Sequence, residues 1–205
     1  MDDKIATIKS WLGTGAVNIF GLPMSGKDTQ GIKLAEALDG KFISSGMIIR
    51  SMESEKRANY TKDGSLIPTD VFYEWVLPYL TRPDLANYPL ILSSIGRWFG
   101  EEDEVMATAR QAGHEIKAAV ILNISEAEVE HRYYVSKSLN DRGSRADDRD
   151  LDIFHHRLQE FRDKTLPVIR HYQNLGLLVE VPGNVSRDAV FDSIINRLYI
   201  KATTS

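Results

Sequence analysis

Unbroken apolar runs alternate along this chain with stretches whose apolar residues recur every three to four positions. Short unbroken runs read as strands buried on both faces, and the three-to-four spacing reads as one-sided helices. The runs lie at 16–20, 90–92, 118–124 and 177–181, and Phe42-Ile43-Ser44 reads as a short strand or a bend. Helical spacing covers 4–12, 26–38, 47–54, 71–80, 102–112, 151–175 and 187–199. A further helix opens after Ser125, which with Glu128 has the spacing of a capping box. Gly13, Gly15, Gly113 and Gly176 stand where helices end. Thr69 and Asp70 are placed to cap the 71–80 helix, Pro78 to kink it and Pro167 to bend the 151–175 helix. Segments 61–68, 83–89 and 138–150 read as loops. Strands alternating with helices predict an α/β fold, a central parallel sheet flanked by helices, with ligands at the carboxyl ends of the strands. No internal repeat or low-complexity tract interrupts this order.

Length and composition narrow the class. A chain of 205 residues is one domain, or one core with small inserted lobes. The net charge of −4 gives no basic field for nucleic acid. The absence of cysteine excludes disulfides, thiolate zinc and a cysteine nucleophile. The first fifteen residues carry two aspartates and no long apolar block, so they do not read as a secretory signal, and no stretch approaches the ~20 apolar residues of a membrane span. A cytoplasmic enzyme or binding protein, away from membranes, is expected.

The chemistry concentrates in Gly21-Leu22-Pro23-Met24-Ser25-Gly26-Lys27-Asp28-Thr29, between the first strand and the next helix. Strand, glycine loop and helix are the setting in which G-x-x-x-x-G-K binds phosphate. Main-chain N–H groups of such a loop point into a concavity, and the helix behind adds the positive end of its dipole. Lys27 can reach outer phosphates and the Thr29 hydroxyl can hold Mg²⁺. The bland alternative is a glycine-rich turn before an ordinary helix.

Six ordered segments, over about 16–198, resemble the adenylate kinase and nucleoside monophosphate kinase family. The loop 21–30 resembles its G-x-P-G-x-G-K-G-T-Q. Ile43-Ser44-Ser45-Gly46 with Arg50 resembles I-S-T-G-D-x-x-R, and Gly64-Ser65-Leu66-Ile67-Pro68 resembles G-x-L-V-P. Arg97 falls at the arginine of D-G-F-P-R. The run Arg142 to Asp148 resembles the lid segment R-G-…-G-R-x-D-D, and Arg157 through Tyr172 resembles R-L-x-x-Y…T-x-P-v-i-x-x-Y.

The resemblance implies a P-loop NTPase fold with an inserted monophosphate-binding lobe at about 45–80 and a short lid at about 136–149. It implies transfer of the γ-phosphoryl group of ATP, with Mg²⁺, to a nucleoside monophosphate, in a monomer whose partners are small nucleotides (ATP, ADP, AMP). It assigns Gly21, Met24, Ser25, Gly26, Lys27, Asp28, Thr29 and Arg132 to ATP. Ser45, Gly46, Arg50, Ile67, Ser94, Arg97 and Glu101 go to the monophosphate. Lys27, Arg97, Arg142, Arg145 and Arg157 go to the transferring group, with Asp147 and Asp148 orienting lid arginines. Thr29 goes to Mg²⁺, with Ser93 through a water. Arginine suits the phosphate work because its planar fork meets two oxygens at once. An arginine in a charged loop is otherwise an ordinary solvated residue.

The chain departs from that pattern at several positions. Met24 and Asp28 stand where the family loop has glycine, and a φ > 0 at Met24 would strain the backbone. Ser93 and Ser94 replace Asp-Gly, and Met47 replaces an acid. Glu101 lies where the family has an adenine-reading glutamine. An ionised glutamate offers acceptors only, so AMP, GMP and pyrimidine monophosphates stay open as acceptors, AMP foremost. A degenerate nucleotide-binding regulator is the alternative to an enzyme. A GTPase switch is disfavoured, since no N-K-x-D motif is present. His155 and His156 read as surface or packing residues, and Trp75 and Trp98 as core, with Trp98 also placed to line the acceptor pocket.

Overall fold

The computed structural model describes residues 1–139 and 150–204. Strands β1 (Ala16–Gly21), β2 (Lys41–Ser44), β3 (Leu90–Ser93), β4 (Ile116–Asn123) and β5 (Leu178–Pro182) form one parallel sheet in the order β2-β3-β1-β4-β5. Phe42–Ser44 is therefore strand and not bend. β1 and β3 are buried at every position, because helices cover both faces of the sheet. Along β1, Ala16 and Phe20 belong to one core cluster and Val17 and Ile19 to the other, the period of two that a pleated strand imposes.

Helices α1 (Asp2–Leu12), α2 (Lys27–Ala37) and α10 (Arg187–Thr204) supply one layer, with Ile8, Leu34 and Ile194 buried against Val17 and Ile19. The other layer packs Tyr133 of α7 (Glu126–Leu139), Phe154 of α8 (Leu151–Glu160) and Tyr172 of α9 (Leu166–Asn174) around Phe20. Each wholly apolar side chain among these, such as Ile8, Leu34 or Phe154, contributes roughly 1.5–3 kcal/mol by leaving water. Further along the chain, α3 (Ser45–Lys56) follows β2 directly, two residues ahead of the expected start, and α6 (Glu101–Gln111) follows Gly100, whose φ is 98°.

Three expectations about helices are corrected. The 71–80 helix is two pieces, α4 (Thr69–Trp75) and α5 (Leu77–Leu80), with Pro78 in the first turn of the second. Pro68 occupies the cap of α4 and no side chain caps it; the Thr69 hydroxyl donates instead to Glu101. The 151–175 helix is broken by a π-helical turn, Phe161–Thr165, ahead of Pro167. Proline has no N–H for the carbonyl four residues earlier and its ring crowds that oxygen, so the ladder widens there. The Ser125–Glu128 box forms by half: Ser125 Oγ accepts from the Glu128 N–H at 3.2 Å, while the Glu128 carboxylate turns to Arg132.

The sheet sets the site. Strand order reverses at β1, with β3 on one side and β4 on the other, so the chains leaving β1 and β3 enter one crevice at the carboxyl edge. Among the described residues, no helix is long and apolar enough to cross a membrane.

Candidate active site

The loop after β1 is shaped by its glycines. A Cβ on Gly21 would meet Ser25 Oγ at 2.6 Å, so the turn closes only around glycine. Gly26, at φ 88°, opens α2, and no side chain caps that helix, so its first N–H groups face outward for a ligand. Met24 has φ 64°, the left-handed backbone that a non-glycine residue adopts under strain. The Ser25 hydroxyl is buried with no partner. Lys27 begins α2 half-buried.

Met24, Ser25, Gly26 and Thr29 line a cleft of about 410 Å³. Its far wall is Glu128, His131 and Arg132 on α7, together with Val185 and Ser186 after β5. Arg132 ties these parts together: Nε donates to Glu128 at 2.8 Å, Nη1 to the Ser25 carbonyl at 3.4 Å and Nη2 to the Gly183 carbonyl at 2.9 Å. Asp28 points toward β3, where Ser93 Oγ donates to its Oδ1 at 2.5 Å.

Across the crevice lies a tighter cavity of about 90 Å³. Ser45, Gly46 and Arg50 of α3, Ile67, and Ser94, Arg97 and Glu101 after β3 all line it, as does Arg157 of α8. Gly46 leaves room for the guanidinium below it, since a Cβ there would lie 3.0 Å from Arg50 Nη1. Gly64, at φ 87°, lets the 61–67 segment close onto Arg157, whose Cγ would be 2.9 Å from a Cβ. Asn18, buried in β1, donates to the Ile95 carbonyl at 2.8 Å and accepts from the Ile95 N–H at 3.3 Å, which fixes the turn carrying Arg97.

Two charged groups here are shifted by their surroundings. Arg97 is pushed down to about 10 by burial and then by the nearby Arg157 cation. Its Nε is buried with no hydrogen-bond partner. The Glu101 carboxyl is raised by burial, an effect that hydrogen bonds oppose. Its Oε2 accepts from the N–H groups of Arg97 at 2.8 Å and Trp98 at 3.0 Å, and its Oε1 from Thr69 Oγ1 at 2.9 Å. That carboxylate is occupied as a staple between the β3–α6 turn and α4.

No protein-family model matches the chain. Individual relatives do. An adenylate kinase of Mycobacterium tuberculosis is 31% identical over 188 positions, spanning 89% of this chain and 98% of the relative. One from Mycobacteroides abscessus is 32% identical over 181 positions, spanning 85% and 94%. One from Chlamydia caviae is 28% identical over 205 positions, spanning 86% and 94%. This chain belongs to the adenylate kinase family. It has the P-loop kinase fold and is a phosphotransferase of the nucleoside monophosphate kinase type.

In this adenylate kinase family member, the first cavity is lined by the loop after β1 and the second by segments that follow β2 and β3. Arg142 and Arg145, with Asp147 and Asp148, lie outside the described residues. Among the described residues there is no group of three or more His, Asp or Glu arranged to hold a metal. Sequence reasoning missed the loop after β5; its signal was Gly183-Asn184 directly behind a parallel strand, where this fold places ligands. It also missed Glu160, whose buried carboxylate accepts from the Leu66 N–H at 3.0 Å and from Lys164 at 2.6 Å. A carboxylate inside a helix that already carries Arg157 gave no pattern to single it out.

Proposed function

We propose that this enzyme transfers the γ-phosphoryl group of ATP to AMP, giving two ADP. The observation that carries the reading is Arg97. A partly exposed arginine with a buried, partnerless Nε, lowered to about 10 beside a second arginine, is a cation arranged for an anion. The size of the cavity, the position of Arg50 in its wall and the link from its Ser45 through Ser93 to Asp28 of the phosphate loop support a nucleotide's phosphate as the fitting anion.

Phosphoryl transfer brings two polyanions together, so the protein's work is positioning, charge stabilisation and exclusion of water. In this reading the main-chain amides of the 21–29 loop and Lys27 hold the donor phosphates. Arg50 and Arg97 grip the acceptor phosphate. Arg157 faces the transferring group, and Arg132 fixes the loop beneath the donor against the turn after β5. The Thr29 hydroxyl in the donor cleft and the Asp28 and Ser93 side chains beside it are hard oxygen donors, the set that Mg²⁺ takes. Bound there with ATP, Mg²⁺ neutralises phosphate charge. Glu101 offers no argument for guanine, because its acceptors are engaged by Thr69 and two main-chain N–H groups.

A coupled assay with ATP and each of AMP, GMP, CMP and UMP tests the proposal. Turnover greatest with AMP is expected. Greater turnover with another monophosphate reassigns the acceptor, and calorimetric ATP binding with no turnover on any of the four replaces the enzyme by a nucleotide-binding regulator.

A further inference from the structure

We infer that the Asp28 carboxylate, held on Ser93, is the anionic anchor through which the donor cleft takes its divalent cation. The inference rests on the donor reading of that cleft. Asp28 is the second residue of α2, beside Lys27 and Thr29 in the phosphate loop. Its Oδ1 accepts from Ser93 Oγ at the carboxyl end of β3, and the Ser93 carbonyl accepts from Ser45 Oγ of the acceptor cavity at 3.4 Å. The carboxylate is thus held at the carboxyl end of β3, one residue from Thr29 of the donor cleft and linked through Ser93 to Ser45 of the acceptor cavity. A second observation points to a ligand at this place: the Ser25 hydroxyl, 4% exposed and lining the donor cleft, has no partner.

The electrostatics favour a cation. Aspartate is ordinarily ionised at neutral pH. Beside a polyphosphate its charge opposes binding, unless something positive stands between the two anions. The Thr29 hydroxyl, a carboxylate oxygen and a serine-held water shell are oxygen ligands suited to Mg²⁺ or Mn²⁺. The competing account makes Asp28 merely an acid favoured by the α2 dipole. That account predicts a small loss of stability on neutralising Asp28 and no change in metal dependence.

The two are separated by calorimetric titration of ATP in EDTA and in Mg²⁺, using wild type, Asp28→Asn, Asp28→Gly and the exchanged pair Asp28→Gly with Ser93→Asp. In wild type, Mg²⁺ is expected to tighten ATP binding by about tenfold, the size of one charge-assisted contact. Both single variants are expected to lose most of that gain and to bind ATP in EDTA at least as tightly as wild type. The exchanged pair, which returns a carboxylate from the end of β3, is expected to recover it. Mn²⁺ relaxation in the ATP complex should follow the same order. Retention of the full Mg²⁺ gain in both single variants overturns the inference and leaves the kinase reading standing. Failure of wild type to bind ATP in either condition overturns the donor reading, and the inference with it.

Discussion

The two cavities of this protein are built by different means. The cleft proposed for the donor, about 410 Å³, is lined on one side by the loop after β1 and held by an arginine that bonds main-chain carbonyls. The cavity proposed for the acceptor, about 90 Å³, sets Arg50, Arg97, Glu101 and Arg157 among apolar side chains such as Ile49, Ile67 and Phe72, and side-chain bonds brace the elements around it. Glu101 joins the β3–α6 turn to α4, Glu160 joins α8 to Leu66, and Ser65 Oγ lies 3.1 Å from His156 Nε2. A phosphate loop tolerates side-chain change at positions that do not brace it, as long as the turn survives. A site that places single charged side chains in an apolar wall stakes its function on those residues, and the unpartnered Arg97 Nε marks where that stake is highest.

The sharpest way to break the comparison is Arg97→Met. Loss of about 10²–10³ in kcat/KM for the monophosphate is expected, by analogy with removal of one transition-state donor. Stability should move the other way. A folded-state value lowered to about 10 means that the buried charge opposes folding at every pH below that, with relief only between about 10 and the ordinary arginine value. The variant should therefore melt higher by about 2–4 °C for each kcal/mol regained. Inorganic phosphate should raise the melting temperature of wild type by more than that of the variant, which loses the Arg97 cation and keeps the phosphate loop to hold the anion. A variant that melts lower would show that Arg97 is a structural residue.

Arg132→Ala tests the donor side. It removes bonds to the Ser25 and Gly183 carbonyls, and the KM for ATP is expected to rise by about tenfold, the cost of one or two such bonds. The KM for AMP should stay within a factor of two or so, since Arg132 borders only the donor cleft among these two cavities. Equal changes in both constants would merge the two sites energetically.

How much of this was legible in the chain follows the same division. Apolar runs located the buried strands because parallel strands between helix layers carry no polar face. The phosphate loop declared itself through Gly21, where a Cβ would meet Ser25 Oγ, and Gly26, whose φ of 88° other residues take only at a cost. Arg50, Arg97 and Arg157 were readable by resemblance, and the structure brings them to one cavity. What could not be read was pairing across the fold. The bonds of Glu101 to Thr69, of Glu160 to Leu66 and of Asp28 to Ser93 join residues 32, 94 and 65 positions apart, a separation that no local pattern encodes. The break before Pro167 was legible as a bend but not as a π-helical turn, because proline dictates which bond is lost and not how the ladder widens around it.

Glu101→Gln sharpens the acceptor side with a smaller effect. Its amide oxygen can accept from the Arg97 and Trp98 N–H groups and its NH₂ can donate to the Thr69 oxygen, so the staple survives without its charge. Glu101 binds its proton more tightly in the folded protein than in the unfolded chain, because burial raises it. Its stabilising contribution is therefore present below the ordinary glutamate value and is lost as pH rises through the raised value. Melting temperatures of the two proteins should diverge in the variant's favour across that window, and the order of preference among monophosphates should not change. A switch toward AMP in the variant would return this position to base recognition.

A last comparison, whose acceptor-side effect is the smallest expected, sets one strained residue from each cavity side by side. Met24 and Ser94 both sit in left-handed backbone, at φ 64° and 52°. Glycine relieves such strain, by about 1 kcal/mol after the extra freedom of the unfolded chain is set against it. Ser94→Gly gives up a hydroxyl whose one bond, to the Ile19 carbonyl, is long at 3.4 Å, so the relief should dominate. Urea unfolding is expected to show a gain of about 1 kcal/mol with the slope unchanged. Met24 is different: its side chain is 8% exposed and belongs to the core cluster around Phe20. Deleting a buried methionine costs about 2–5 kcal/mol, which exceeds the relief, so Met24→Gly should destabilise. Two substitutions of the same kind would then carry opposite signs, because the donor loop uses its strained residue to fill the core and the acceptor turn does not. Loss of stability in Ser94→Gly would mean that the long hydroxyl bond holds the β3–α6 turn more firmly than its geometry indicates.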